Sequence, residues 1–149
     1  MNPAKLIPEK CAFCKIIYGE IPVEKVYEDD LVLSFLYLSP VNKGHLVVIP
    51  KQHYNGPTHM PSEEWGELMQ KAAELAAATM RATKSDAYNL LVANGASAGQ
   101  VGPHLCVHAI PRLADDGVAL PARSVEFDDA AEKRNVISKI AEKMAKADS

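Results

Sequence analysis

The segment His104-Leu105-Cys106-Val107-His108-Ala109-Ile110 carries two imidazoles and a thiol at every second position. Side chains alternate faces along a strand, so a strand here projects His104, Cys106 and His108 together and Leu105, Val107 and Ala109 oppositely. Such a face, preceded by the small-residue loop Asn94-Gly95-Ala96-Ser97-Ala98-Gly99, has the makings of metal or phosphate chemistry. Taken alone, the same residues read as well as polar side chains on a solvated face beside a buried cysteine. A second cluster is the C-x-x-C pair Cys11 and Cys14. Three cysteines in 149 residues are too few, and odd in number, for a secreted disulfide scaffold. In a reducing compartment the pair points to metal or to redox chemistry. A closed zinc site needs four ligands, so two more must come from far along the chain. A thioredoxin-like redox pair instead follows a strand in a βαβ unit, whereas residues 1–10 read as a tail.

The elements that must position these residues follow from periodicity. Phe13, Ile16 and Ile17 stand at helical spacing over 11–18, and Gly19 closes that turn. Residues 23–28 and 31–38 read as strands around the Asp29-Asp30 turn, and 45–49 as a third that Pro50 ends. Residues 62–83 form the clearest helix, with Ser62 as N-cap and an apolar face of Trp65, Leu68, Met69, Ala72, Leu75, Ala76 and Met80. Residues 88–93 and 104–110 give the last two strands, the latter stopped by Pro111. Asp128 or Asp129 caps a final helix whose stripe is Val136, Ile137, Ile140 and Met144. The order predicts an α+β domain, an antiparallel sheet with helices on one face.

The length fits one domain, a core at 11–112 with an extension at 113–149. A net charge of −3 argues against a protein built to grip nucleic acid. No apolar run reaches the roughly 20 residues of a membrane span, and the first residues carry no signal-peptide pattern. The expectation is a cytoplasmic protein.

Four ordered blocks carry a family resemblance. Gly99-Gln100, with Pro103-His104-Leu105-Cys106-Val107-His108-Ala109-Ile110-Pro111-Arg112, resembles the signature strand of the histidine-triad (HIT) superfamily, His-x-His-x-His followed by apolar residues and often Pro-Arg. Residues 11–22 resemble its opening helix, Val26-Tyr27-Glu28-Asp29-Asp30 its first strand and turn, and Gly44 to His53 its third strand. The resemblance implies a five-stranded antiparallel sheet with two main helices, dimerising through the 62–83 helix and the strand near Tyr88. It implies purine nucleotide or phosphoconjugate binding, with hydrolysis or nucleotidyl transfer at the α-phosphate. The middle histidine of the family is the nucleophile, and the third histidine with loop amides binds phosphate. Here those catalytic positions are Cys106 and His108. Zinc is implied at Cys11, Cys14, His53 and His104, and His45 would buttress the triad, while His59 reads as a surface residue. Phe13, Ile16, Ile21, Phe35 and Leu38 match positions that sandwich the base, though packing in a small core explains them equally. Tyr37, Asn94, Gln100 and His108 complete the expected nucleotide contacts.

The departures fall in the site itself. Cys106 replaces the nucleophile, Tyr37 stands where an acidic residue commonly holds the ribose, Ala93 precedes Asn94 where asparagine is usual, and Val101-Gly102 precedes Pro103. Cys106 is then an attacking thiolate assisted by His108, an inert residue in a protein that binds without turnover, or an engineered change. Three functions remain in view: a zinc-bearing nucleotide hydrolase or transferase with weakened chemistry, a non-catalytic regulatory or interaction protein on the same fold, and a redox-active Cys11/Cys14 pair.

Overall fold

The computed structural model describes residues 10–119 and 124–147, so nearly all of the expected tail lies outside the described residues. The chain divides into two compact units, residues 1–118 and 119–149. In the first, the elements are α1 (Ala12–Ile17), β1 (Lys25–Glu28), β2 (Val32–Leu36), β3 (Leu46–Pro50), α2 (Ser62–Thr83), β4 (Ala87–Val92) and β5 (Val107–Arg112). The strands form one five-stranded sheet in the order β1-β2-β3-β5-β4, with every neighbour antiparallel.

Strand parity decides what each side chain meets. Val32, Val48 and Val107 pack with Leu68 and Ala72 of α2, while Leu33, Phe35, Val47 and Ile49 pack with Ile16 of α1. The helices therefore do not share one face, as the element order had suggested: α1 covers the face opposite α2. The reason is that β2 and β3 carry apolar residues at both parities, Ser34 excepted, which leaves both faces of the central strands needing cover. Each large aliphatic side chain buried this way contributes about 1.5–3 kcal/mol.

Several boundaries differ from expectation. Ser62 is the first helical residue of α2, not its cap; Pro61 precedes it and no side chain caps the turn. Pro50 does end β3, as its last residue, paired opposite Val32. Pro111 lies within β5 opposite Tyr88, and β5 starts at Val107 rather than His104. Proline is tolerated there because β3 pairs with β5 only up to Ala109, so no neighbour needs a donor from Pro111 on that side.

Two contacts fix the loops around the sheet. Gly44 has φ +95°, and a Cβ on it would stand 2.8 Å from Thr83 Cγ2 and 2.9 Å from Thr79 Cγ2, so the β2–β3 loop lies directly on α2. Beyond β5, Arg112 donates to Asp116, to Asn89 Oδ1 at 2.7 Å and to the Val118 carbonyl at 2.9 Å. That guanidinium holds the Asp116 carboxyl far below the usual carboxylate range.

In the second unit, α3 spans Ala130–Ala147. Its cap is Asp129, whose Oδ1 accepts the Glu132 N–H at 2.8 Å. The stripe of Val136, Ile137, Ile140 and Met144 is exposed.

Candidate functional site

Cys11 is the N-cap of α1 and Cys14 its third helical residue, so the first turn of the helix brings both thiols to one side. The Cys14 N–H donates to Cys11 Sγ at 3.4 Å. His53 lies just past β3 and His104 just before β5, two segments joined by the Leu105 N–H donating to the Tyr54 carbonyl at 2.6 Å. The four donor atoms lie within 4.8 Å of one another. Cys11 Sγ is 3.4 Å from His104 Nδ1, Cys14 Sγ is 3.2 Å from His53 Nδ1, and the two Nδ1 atoms are 3.1 Å apart.

The outward-facing nitrogens define the tautomers. His104 Nε2–H donates to the Pro50 carbonyl at 2.8 Å, and His53 Nε2–H donates to Asn55 Oδ1 at 2.9 Å. Both Nδ1 lone pairs then point inward at each other and at two thiols. Burial holds His104 down at about 4, so its own ring stays neutral at pH 7. Burial and, behind it, the Cys11 thiol push Cys14 up to about 12. A cation among the four donors removes both penalties, and two sulfurs with two imidazoles, each anchored to a carbonyl oxygen behind, fit zinc.

Adjoining this cluster is a cavity of about 460 Å³, lined among the described residues by Lys10, Cys11, Ala12, Phe13, Tyr37, Ala93, Gly99, Gln100, Val101, Gly102, Pro103, His104, Cys106 and His108. Among the described residues no carboxylate lines it. A relay runs to its floor from the β2–β3 loop. The Val41 N–H donates to His45 Nδ1 at 3.2 Å, and His45 Nε2 lies 2.9 Å from His108 Nδ1. Burial, reinforced by His108, lowers His45 to about 4, and burial also lowers His108, so both rings are neutral at pH 7. A neutral His45 that accepts at Nδ1 carries its proton on Nε2 and donates to His108. His108 must therefore carry its own proton on Nε2, 3.8 Å from Cys106 Sγ. His108 thus presents a donor to the cavity, suited to an anionic oxygen and unable to take the thiol's proton. Burial pushes Cys106 up to about 12. Tyr37 closes the wall, its ring centroid 4.9 Å from that of His45 and 5.1 Å from that of His108.

A HIT domain model matches residues 18–115 of the chain. The chain belongs to the HIT family. It is 45% identical over 106 residues to an adenylylsulfatase, HINT3, of Arabidopsis thaliana, which covers 71% of this chain and 54% of that protein, so the chain spans about half of that relative. It is 35% identical over 131 residues to an adenosine 5′-monophosphoramidase of Saccharomyces cerevisiae, 86% of this chain and 80% of that one. Among solved structures, a protein of Streptococcus mutans superposes with a TM-score of 0.81 at 36% identity, covering 96% of this chain and 88% of the other. A Zn-bound histidine triad protein of Mycobacterium smegmatis gives a TM-score of 0.70 at 26% identity, covering 89% and 96%.

Set on this HIT fold, the expected site residues separate into groups. Cys11, Cys14, His53 and His104 come together, and Phe13, Tyr37, Gln100, Cys106 and His108 line the cavity. Cys106 lies on the α1 face and Val107 on the α2 face, so the alternation holds although His104 and Cys106 precede the regular strand. Ile16 and Phe35 are buried in the core beneath, while Ile21, Leu38 and Asn94 are not among the lining residues, Leu38 being 81% exposed. Lys10, which lines the cavity, and Asn55, which holds His53, carry no sequence signal that would have found them.

Proposed function

We propose that this HIT protein binds a purine nucleotide or nucleotide conjugate in the cavity beside His108 and carries zinc at Cys11, Cys14, His53 and His104. The observation that carries the reading is the Val41–His45–His108 relay, which aims an Nε2–H donor into a cavity walled by Phe13 and Tyr37 and lined by no carboxylate among the described residues. An α-phosphate seated there accepts that hydrogen bond, and Lys10 adds positive charge at the rim. Zinc, when bound, supplies structural cross-linking of α1 to the sheet.

The family reaction, nucleotidyl hydrolysis or transfer at the α-phosphate, is weakened in this chain. Attack on an adenosine phosphoramidate forms a bond to phosphorus and breaks the P–N bond, the amine leaving with a proton. An imidazole nitrogen has its lone pair available at pH 7. The Cys106 thiol does not, because burial keeps it protonated and His108 is not a base toward it. The same observation favours the second reading, a HIT-fold protein that binds its ligand for regulation rather than turnover. We place the protein in the cytoplasm as a homodimer through α2 and the edge strand β4, where Tyr88 and Leu91 are part-exposed; sedimentation at micromolar concentration checks the dimer.

The deciding experiment is adenosine phosphoramidate hydrolysis by the protein and by Cys106→His, with mass spectrometry for an adenylylated residue 106. Slow turnover that rises at least a hundredfold with histidine supports weakened chemistry on an intact site. Fast turnover abolished by Cys106→Ala establishes a thiol enzyme and overturns the proposal.

A further inference from the structure

Gln100 lines the cavity, yet its amide is spent within the protein. Its Oε1 accepts the Gly95 N–H at 2.8 Å and its Nε2 donates to the Asn55 carbonyl at 2.9 Å. Those two partners fix the amide orientation, since the reverse would set donor against donor and acceptor against acceptor. Asn55 uses its other oxygen, Oδ1, to accept from His53 Nε2–H, and His53 Nδ1 is one of the four clustered donors. One side chain thus joins the two ends of the 95–100 loop and ties that loop to the segment holding a metal-donor imidazole. The loop's other short-range bonds are internal: the Ala98 and Gln100 N–H groups both donate to the Gly95 carbonyl, and the Gly99 N–H donates to the Ala96 carbonyl. Gly95 and Gly99 both have positive φ, so the loop's shape is held by these bonds rather than by stiff residues.

We infer that Gln100 is a positioning residue coupling the metal cluster to the loop that walls the nucleotide cavity. A metal fixes the His53 ring, the ring fixes the Asn55 side chain, and the Asn55 carbonyl fixes Gln100 and through it the Gly95 N–H. Coupling free energies are reciprocal, so whatever orders the loop must also tighten the hold on the metal. The inference rests on the reading of the four-donor cluster as a zinc site, and needs no nucleotide for its test.

The test is amide hydrogen exchange on zinc-loaded and chelator-stripped protein, for the natural chain and for Gln100→Glu. Glutamate keeps an oxygen for the Gly95 N–H but sets a second oxygen against the Asn55 carbonyl, severing only the tie. In the natural chain the Gly95 amide should exchange about fivefold slower with zinc, the factor given by one net hydrogen bond of ~1 kcal/mol. In Gln100→Glu that zinc dependence should vanish, while sheet amides of β3 and β5 stay protected. Release of zinc to a colorimetric chelator should be about fivefold faster from Gln100→Glu, and this rate decides the matter if stripping zinc melts the sheet. Gly95 exchange indifferent to zinc, zinc dependence that survives in Gln100→Glu, or an unchanged release rate overturns the coupling alone. Protein that retains no zinc overturns the zinc reading and the coupling together.

Discussion

Alkylation of Cys106 measures the chemistry of the cavity floor directly. Burial moves the thiol from 9.0 to about 12, which leaves about a thousandfold less thiolate at any pH below 9. The thiolate is the nucleophile, so iodoacetamide should modify Cys106 in the native protein about 10³ times more slowly than in the urea-unfolded chain at pH 7.5. The native rate should climb tenfold per pH unit through pH 11, whereas the unfolded rate should level off near 9. The sign for stability follows: the folded state holds this proton more tightly, so Cys106 favours folding below pH 9 and loses that contribution as pH rises towards 12. The assay is timed alkylation of zinc-loaded protein, digestion, and quantification of the Cys106 peptide. A native rate within tenfold of the unfolded one at pH 7.5, or a plateau below pH 9, would refute the argument. It would show that His108 or the cavity stabilises a thiolate after all.

Two further outcomes follow from packing and ligation. Cys14→Ser should purify with less than a tenth of an equivalent of zinc by elemental analysis, and its Tm should fall by about 10 °C, because an incomplete donor set leaves His53 and His104 with opposed lone pairs. Gly44→Ala should cost about 2–4 kcal/mol in urea unfolding with an unchanged m-value, since it combines a positive φ with a Cβ driven into Thr79 and Thr83.

Where the sequence was legible, it was because a single period or spacing was enough. The period-2 order of His104, Cys106 and His108 placed all three on the cavity side, and the 3.6-residue stripe of Leu68, Ala72 and Ala76 named the buried face of α2. The C-x-x-C pair announced ligands, but only the fold shows His53 Nδ1 within 3.2 Å of a cysteine sulfur. Pro111 misled where Pro50 did not, because whether a proline ends a strand depends on how far the neighbouring strand extends, a tertiary fact. The placement of α1 opposite α2 was hidden for the same kind of reason: Ile16 and Phe35 suit either face until the register is known. The direction of the His108 proton was the least legible of all. It depends on the Val41 backbone N–H, which has no side-chain signature.

The contact between Cys11 and His104 joins residues 93 positions apart. A ribosome adds ~5–20 residues per second, so α1 emerges about 5–20 s before its last partner does. During that interval two thiols one helical turn apart are open to oxidation and to stray metal, and Ile16 has only β2 and β3 to rest on. A nascent chain stalled between the 53 and 104 positions would hold three donors and lack the fourth. The protein's exposure to damage is therefore greatest during its own synthesis, and a slow codon run in that stretch should raise the fraction of chains carrying a Cys11–Cys14 disulfide.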